Sequence, residues 1–271
     1  MSSKLDTIGF WSEVKLDILR QYAQAYSRIL SSKGFYHVYI DAFAGAGTNI
    51  SRRTGSLVAG SPLIALGITP PFKEYFLIDI DSAKVSELAK VASGRPEVQI
   101  FEGDCNKILL KDVFPRVLYK DHRRGLCLLD PYGLHLNWQV IETAGQMKTI
   151  DMFLNFPMAD MNRNVLWRNV DGVDPAQIKR MNAFWGDESW RSVAYAKTPS
   201  LFGWDMELKE TNKAIAQAFR NRLVEIAGFK HVSQPLPMRN SRDSIVYYLF
   251  FASQQPVADK IIRDIFKKYM R

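Results

Sequence analysis

The stretch that decides the fold is Asp41–Gly47, which reads Asp-Ala-Phe-Ala-Gly-Ala-Gly and directly follows the β-rich run Tyr36–Ile40. A continuous run of this kind is typical of a central strand in a parallel sheet. Gly45 and Gly47 can adopt positive φ and let the backbone approach a ligand closely. The sequence therefore predicts a central strand that ends in a ligand-binding turn.

Strand-like and helix-like segments alternate on the carboxyl side of this stretch. Strands are predicted over Tyr75–Asp79, Val98–Phe101, Gly125–Asp130 and Met152–Phe156. Helices are predicted over Trp11–Leu30 before the first strand, and then over Ser82–Val91, Lys107–Tyr119 and Trp138–Met147. Such alternation implies a parallel sheet with helices on both faces.

The pattern changes after the fifth strand. Residues 157–204 lack clear periodicity and are expected to form an insertion of short helices and loops. A long helix is predicted over Met206–Ile226, and the β-rich runs Lys230–Met238 and Ser244–Ala252 predict an antiparallel hairpin. We therefore expect one α/β domain over residues 1–271, with a mixed, mostly parallel seven-stranded sheet, an N-terminal helix and the helical insertion.

Acidic residues stand at or just beyond the ends of four predicted strands, at Asp41, Asp79, Asp104 and Asp130. Each alone could be a helix N-cap. Ligands of open parallel sheets bind beyond the carboxyl ends of the strands, so four such acids in succession predict one polar binding rim. A dinucleotide fingerprint is disfavoured because its third glycine would fall at Ile50, and no Gly-Lys-Ser/Thr follows to make a P-loop.

These residues resemble the motifs of class I S-adenosylmethionine-dependent methyltransferases. The resemblance implies that Asp79 binds the ribose hydroxyls and Asp104 the adenine amino group of S-adenosyl-L-methionine. The remaining cofactor residues that it implies lie in the first motif and are Asp41, Phe43, Gly45 and Gly47.

Asp130-Pro131-Tyr132 resembles the motif of enzymes that methylate exocyclic amines of bases, with one proline where those enzymes usually have two. Asp130 and the Pro131 carbonyl would accept hydrogen bonds from the amine, and Tyr132 would stack on the base. The alternative is that these residues form only a strand-ending turn, which Pro and Gly133 suit.

The chain as a whole resembles the three-Cys-motif partner family (TcmP). The resemblance rests on the lysine-bearing first helix and on Asp41–Gly47, Gly60-Ser61-Pro62-Leu63, Leu129–Gly133, Asn155-Phe156-Pro157 with Asn162-Arg163, and Tyr247–Ala252. It implies a second protein as partner, a cysteine-motif protein similar to radical S-adenosylmethionine enzymes.

The net charge of +8 favours an anionic partner, DNA or RNA above all. Arg52 and Arg53, in a predicted long loop after the glycine turn, and Arg163, in the basic and Trp-rich insertion, are candidate substrate-binding residues. The alternatives are a solvated loop and a small tryptophan core. Cys105 and Cys127 form no CxxC pair and the four histidines are scattered, so no metal site is predicted.

The sequence contains no signal peptide and no apolar run of membrane-spanning length, so a cytoplasmic location without membrane contact is expected. Three functions compete. The first is a nucleic-acid methyltransferase, the second a non-catalytic cofactor-binding subunit of a modification system, and the third a transferase that acts on a small molecule.

Overall fold

The computed structural model describes residues 5–199 and 205–270, and of residues 196–199 and 205–209 it describes the backbone alone. The strands are β1 (Thr7–Ile8), β2 (Tyr36–Asp41), β3 (Thr48–Ser51), β4 (Leu57–Ala59), β5 (Glu74–Asp79), β6 (Val98–Glu102), β7 (Arg123–Leu129), β8 (Ile150–Phe156), β9 (Tyr195–Pro199), β10 (Asp205–Lys209), β11 (His231–Val232), β12 (Leu236–Arg239) and β13 (Ile245–Ser253).

The helices are α1 (Phe10–Ser32), α2 (Ser61–Leu66), α3 (Ser82–Val91), α4 (Cys105–Ile108), α5 (Trp138–Met147), α6 (Met158–Asn164), α7 (Pro175–Trp185), α8 (Trp190–Ala194), α9 (Asn212–Glu225) and α10 (Pro256–Lys267). The predicted helix over Lys107–Tyr119 is irregular. α4 continues as a π-helical turn over Leu109–Val113 and a 3₁₀ turn over Phe114–Arg116, where Pro115 has no N–H to donate.

The main sheet has the strand order β11-β13-β8-β7-β2-β5-β6, and β12 also pairs with β13. The strands from β6 to β8 are parallel, whereas β13 runs antiparallel to β8, β11 and β12. This confirms the mixed, mostly parallel sheet, although it contains eight strands in the described structure and not the seven predicted. The run predicted over Lys230–Met238 is split into β11 and β12, since Pro235 between them cannot donate to a strand ladder.

Helices cover both faces of this sheet, because side chains of successive strand residues point to opposite faces. On β2, Tyr39 belongs to a core cluster with residues of α1, α3 and α10. Its neighbours Val38 and Ile40 belong to a second cluster, with residues of α5, α7 and α9. β2 is thus buried on both sides, as its apolar sequence predicts.

Two expectations from the sequence are wrong. The helix predicted from Met206 begins only at Asn212, because the backbone of residues 205–209 pairs with β9 and Thr211 caps the helix through Ala214 N. The loop predicted after the glycine turn is a β-hairpin of β3 and β4 around Gly55, which has φ +70°. β1 pairs with β3 and completes a small three-stranded sheet. Within the described part of the chain, no helix has both the length and the apolar character needed to cross a membrane.

Candidate functional site

A cavity of about 250 Å³ lies at the carboxyl ends of β2, β7 and β8. It brings together residues that are far apart in the sequence: Lys15, Phe43, Gly45, Gly47, Asp130, Tyr132, Asn155, Asp160 and Tyr247. Five of them are site residues predicted from the sequence, namely Phe43, Gly45, Gly47, Asp130 and Tyr132. This is the edge of a parallel sheet at which ligands bind.

The glycine turn has the backbone conformation that its sequence predicts. Gly45 and Gly47 have φ values of +65° and +83°. A Cβ built on Gly45 would meet nothing within 4 Å, so the turn borders open space that could hold a cofactor. Gly60 N donates to Gly47 O at 2.8 Å, and a Cβ on Gly60 would lie 2.8 Å from the same oxygen. Gly60 is the N-cap residue of α2, and a residue with a Cβ at this position would collide with the Gly47 carbonyl.

Asp41 lies beneath this turn and is not part of the cavity wall. Its side chain is fully buried and accepts hydrogen bonds from Tyr39 Oη at 3.1 Å and Phe43 N at 3.3 Å. Burial raises the pKa of Asp41 to about 6, against the opposing effect of a hydrogen bond from Ser61. Asp41 therefore stabilises the start of the turn through its hydrogen bond with Phe43 N, from the side that does not face the cavity.

Asp79 and Asp104 stand at the ends of the next two strands. Asp79 Oδ2 accepts from Gly45 N at 2.8 Å and its Oδ1 from Asp81 N at 2.9 Å, which ties β5 to the glycine turn. Asp104 caps α4 by accepting from Asn106 N at 3.0 Å. Ile80, which sequence reasoning missed, follows Asp79 with 75% of its surface exposed. An exposed aliphatic side chain beside an acid suits a ligand with an apolar ring and hydroxyl groups.

Asp130 forms an ion pair through its Oδ2 with Lys15 Nζ of α1. Burial alone would lower the pKa of Lys15, but the Asp130 carboxylate overcomes this effect and holds that pKa above its usual value. Lys15 is therefore a cation at neutral pH, and it lies 5.6 Å from the ring centroid of Tyr247. No described residue donates to Asp130 Oδ1, so one carboxylate oxygen can still accept a hydrogen bond.

Pro131 and Tyr132 have protein partners of their own. Asn155 Nδ2 donates to Pro131 O at 3.1 Å, and Asn155 Oδ1 is buried without a partner in the described structure. Tyr132 is 78% exposed, and its hydroxyl donates to Asp6 Oδ2 at 3.2 Å. Lys84 binds the same Asp6 oxygen at 2.7 Å. Tyr132 is therefore anchored at its hydroxyl while its ring stays accessible.

The predicted substrate residues lie in two different places. Arg52 and Arg53 are exposed in the β3–β4 turn and line a second cavity of about 660 Å³, which adjoins the first. Arg163 is exposed on α6 and lines neither cavity.

Lys15 and Asn155 are two polar residues of this cavity to which sequence reasoning gave no defined role, and Asp6 and Asp160 are two others. Lys15 had a recognisable signal, since it falls at helical spacing between Trp11 and Ile18 on the apolar side of α1. A lysine in that position is buried only when it is paired. Asn155 belongs to a stretch on which the TcmP resemblance rests, but its contact with Pro131 had no local signal, because Pro131 belongs to another strand end.

The fold resembles solved structures at low sequence identity. LPL1258 from Legionella pneumophila, of family model DUF519, has a TM-score of 0.54 and 13% identity, over 94% of this chain and 92% of that one. Trm1 from Pyrococcus horikoshii, solved with S-adenosyl-L-methionine, has a TM-score of 0.48 and 11% identity, over 93% of this chain and 57% of that one. The methyltransferase domain of bacterial CtHen1 has a TM-score of 0.42 and 11% identity, over 87% of this chain and 99% of that one.

No protein-family model and no curated protein sequence matches the chain. The TcmP resemblance therefore stays a prediction. The strand order, with β13 antiparallel to β8 at the end of a parallel sheet, makes this a Rossmann-like α/β fold, which LPL1258 shares. Likeness at such low identity concerns the fold alone, so the chemistry has to be argued from the residues of the site.

Proposed function

We propose that the chain acts as a single domain that binds S-adenosyl-L-methionine at the glycine turn and methylates an exocyclic amine of a nucleic-acid base. One observation carries the proposal. The turn of Gly45 and Gly47 and the open oxygen of Asp130 share one cavity of about 250 Å³. A cofactor on the turn and an amine on Asp130 would therefore face each other.

Bound S-adenosyl-L-methionine would supply an electrophilic methyl group. An exocyclic amine is a poor nucleophile, because its lone pair is conjugated with the ring of the base. Asp130 Oδ1, as an acceptor for an amine hydrogen, would direct the lone pair away from the ring and then take the proton that the methylated amine loses. Most of the rate would come from holding the amine in line with the methyl group.

Lys15 and Asn155 would position these acceptors. Lys15 binds one oxygen of Asp130, which lines the cavity, and the other oxygen would accept a hydrogen bond from the amine. Asn155 fixes Pro131 through its carbonyl, which keeps a second lone pair for an amine hydrogen. These roles place Lys15 and Asn155 as positioning residues and Asp130 as the catalytic residue.

The cofactor contacts follow from the strand ends. Both oxygens of Asp79 already accept one backbone N–H, yet each has a second lone pair for a ribose hydroxyl. Ile80 offers an apolar surface for the adenine ring, and Asp104 lies at the end of the neighbouring strand. Asp41 would act indirectly, by supporting the turn that contains Phe43.

A cysteine-based mechanism has little support. Cys127 is fully buried in β7, and burial raises the pKa of its thiol. Burial also raises the pKa of Cys105 to about 12, with the nearby Asp104 adding to the effect. A thiol that stays protonated is a weak nucleophile. Direct transfer to a nitrogen is the chemistry that fits the groups at this edge.

A second candidate has an observation in its favour. Asp130, Pro131 and Tyr132 are all bound by protein groups, namely Lys15, Asn155 and Asp6. Because each of the three residues already has a protein partner, this edge also suits a cofactor-binding subunit that works with another protein, such as the cysteine-motif protein that the TcmP resemblance implies. A small-molecule transferase has no comparable feature in its support.

Two measurements on the wild-type protein test the proposal. Isothermal titration with S-adenosyl-L-methionine measures binding, and transfer of a labelled methyl group onto mixed single-stranded DNA and RNA, with mass spectrometry of the nucleosides, identifies the methylated atom. We expect binding and an N-methylated base. Binding without transfer, reversed only when the cysteine-motif protein is added, would favour the subunit role. Absence of binding would refute both.

A further inference from the structure

We propose that the second cavity is a binding groove for single-stranded nucleic acid and that it leads the target base to Asp130. This inference rests on the proposed function and specifies its substrate. The groove, called the arginine groove below, lies between the β3–β4 turn and the β12–β13 turn and has a volume of about 660 Å³. Arg52 and Arg53 line one side, and Arg239 and Asn240 line the other.

The charge of the arginine groove suits phosphates. Its lining contains the cations Arg52, Arg53, Lys84 and Arg239, but only one carboxylate, that of Asp6. Arg52 has no acidic partner in the described structure. Arg53 lies 3.9 Å from Glu13, and Arg239 lies 3.5 Å from Asp243; one side chain of each pair, that of Arg53 and that of Asp243, is largely exposed. Long ion pairs with an exposed partner contribute little energy, so phosphate oxygens can replace those carboxylates.

Aromatic rings complete the groove. Phe10 is 56% exposed at the start of α1, and the ring of Tyr132 is accessible. Exposed aromatic side chains beside arginines are the combination with which proteins bind single strands, since bases stack on the rings while the cations hold the backbone. Phe10 packs edge to face against Trp11, with the ring centroids 5.4 Å apart, and more than half of its surface still remains open to a ligand.

The arginine groove is continuous with the candidate active site. Both cavities are lined by Asp6, Ile8, Ser12, Tyr132, Val246 and Tyr247. Tyr132 therefore stands between the groove and Asp130. Only 23% of the Asp130 side chain is exposed. To reach it, a base must enter the cavity that Asp130 lines, called the inner cavity below. A base within a duplex cannot do so without leaving its stack, and this favours an unpaired strand.

The 157–204 insertion is the competing surface. Its exposed basic residues Arg163 and Arg168 and the 45% exposed Trp167 have a similar composition. None of the three lines the arginine groove or the inner cavity. A strand bound there would not be led to Asp130 by any continuous surface that the structure describes.

Fluorescence anisotropy with fluorescein-labelled 12-nucleotide DNA and RNA strands of mixed sequence, and with their blunt duplexes, tests the groove. The variants are Arg52→Ala/Arg53→Ala, Phe10→Ala, Arg163→Ala/Arg168→Ala and a charge-matched control, Lys260→Ala/Lys267→Ala, on exposed positions of α10. Each protein is also titrated with S-adenosyl-L-methionine and melted, which separates a lost contact from a lost fold.

We expect the wild type to bind a single strand more tightly than its duplex. In Arg52→Ala/Arg53→Ala the slope of log affinity against log salt should fall by about 1.4, since each phosphate contact to a single strand contributes roughly 0.7. Phe10→Ala should weaken binding about tenfold through the loss of one stacked base. The control on α10 should bind like the wild type.

Three results would overturn the groove. They are unchanged binding by the variants in the groove, loss of binding in Arg163→Ala/Arg168→Ala instead, and tighter binding of duplex than of single strand by the wild type. If the wild type methylates nucleic acid while the groove variants keep its KM, the groove is wrong and the proposed function stands. If no nucleic acid is methylated although S-adenosyl-L-methionine binds, the proposed function itself fails.

Discussion

Asp130 and Asp151 are carboxylates at opposite ends of the neighbouring strands β7 and β8, and side chains of α1 bind both. Asp151, near the start of β8, has each oxygen occupied, since Tyr22 Oη donates to Oδ2 at 2.5 Å and Ser253 Oγ to Oδ1 at 2.5 Å. Asp130, just after β7, is paired with Lys15 through one oxygen and has the other open. The two α1 partners are seven residues apart, two turns on one side of the helix.

The difference separates a structural acid from a chemical one. Both oxygens of Asp151 accept a hydrogen bond from a neutral hydroxyl, and burial raises its pKa to about 6. Asp151 lines a cavity of about 300 Å³ that contains none of the predicted site residues, whereas Asp130 lines the cavity of the glycine turn, is paired with a cation and has one oxygen without a described donor. Under the proposed function Asp151 therefore stabilises the fold, and Asp130 accepts a hydrogen bond from the ligand. The predictions below test this distinction.

The largest effect is expected for truncation of the two acids. Asp130→Ala should lower methyl transfer about 10²–10⁴-fold, as the loss of a group that accepts a proton in the reaction does. Its affinity for S-adenosyl-L-methionine should stay near that of the wild type. Asp151→Ala should instead lower stability, because two buried hydroxyls lose their acceptor at a cost of about 1–3 kcal/mol each.

Transfer rate, titration of S-adenosyl-L-methionine and thermal melting on both variants separate these effects. If Asp130→Ala melted early and lost the cofactor as well, Asp130 would be part of a structural turn. If Asp151→Ala kept its stability, the structural role of Asp151 would be wrong.

The second-largest effect is expected in the pH dependence of stability, which should differ between the wild type and Asp151→Asn. The folded pKa of Asp151, about 6, lies above the ordinary value of 3.8, so the folded state binds this proton more tightly than the unfolded state. Its stabilising contribution is complete below about pH 4 and is lost as the pH rises through about 6. Asp151→Asn removes this loss and should be more stable than the wild type at pH 8 by on the order of 3 kcal/mol, since each pKa unit corresponds to about 1.4 kcal/mol.

Urea unfolding between pH 4 and pH 8 measures this effect. Asp41, whose pKa burial also raises to about 6, should keep a part of the slope in the variant. An unchanged slope in Asp151→Asn would contradict the assignment.

The role of Lys15 gives a sharper test of Asp130. In Asp130→Asn the amide oxygen should turn towards the Lys15 cation, so that the NH₂ group faces the substrate where an acceptor is needed. This substitution should therefore be nearly as damaging as Asp130→Ala, although the amide has one acceptor. Adding Lys15→Met frees the amide to turn over and should restore transfer about tenfold, a coupling of ordinary size for groups in contact.

Single-turnover rates for the two single variants and the double variant measure this coupling. Strictly additive losses would show that Lys15 does not orient Asp130. Equal melting temperatures of Asp130→Asn and the double variant are the control for folding.

The smallest effect compares two glycines with positive φ. Gly47 lies in the glycine turn with φ +83°, and Gly34 follows α1, before the start of β2, with φ +71°. Alanine at either position should cost about 1–2 kcal/mol of stability, the usual penalty of the left-handed region. Only Gly47→Ala should weaken binding of S-adenosyl-L-methionine as well, about fivefold beyond its effect on folding. Titration and melting of both variants test this, and equal cofactor affinities would remove the turn from the binding site.

Much of the sheet could be predicted from the sequence because its signals are local. The apolar run Tyr36–Asp41 and the periodicity of Trp138–Met147 coincide with β2 and α5. The positive φ values of Gly45 and Gly47 follow from the residue type. The hairpin of β3 and β4 was missed because its strands are only four and three residues long, and its pairing with β1, which precedes α1 in the sequence, leaves no local signal.

The site was less predictable than the sheet, because its contacts join residues that are far apart in the sequence. Asp130 stands out at a strand end, but its partner Lys15 is 115 residues away and becomes a neighbour only when α1 packs on the sheet. The contact between Asn155 and Pro131 likewise needs the register of β7 and β8. Asp104 is the N-cap residue of α4, and a capping role was the alternative interpretation of each of the four acids. Local patterns thus identify which residues are candidates, and long-range packing decides which of them have an open oxygen.

The most direct test is the same isosteric change at both acids in one transfer assay. Asp130→Asn and Asp151→Asn are compared with the wild type at saturating S-adenosyl-L-methionine, with single-stranded nucleic acid as acceptor. We predict that Asp151→Asn transfers methyl groups at the wild-type rate and that Asp130→Asn loses at least about 100-fold, with equal cofactor affinities in all three proteins. Equal rates for the two variants, or a loss confined to Asp151→Asn, would contradict the assignment of Asp130 as the acid that performs the chemistry.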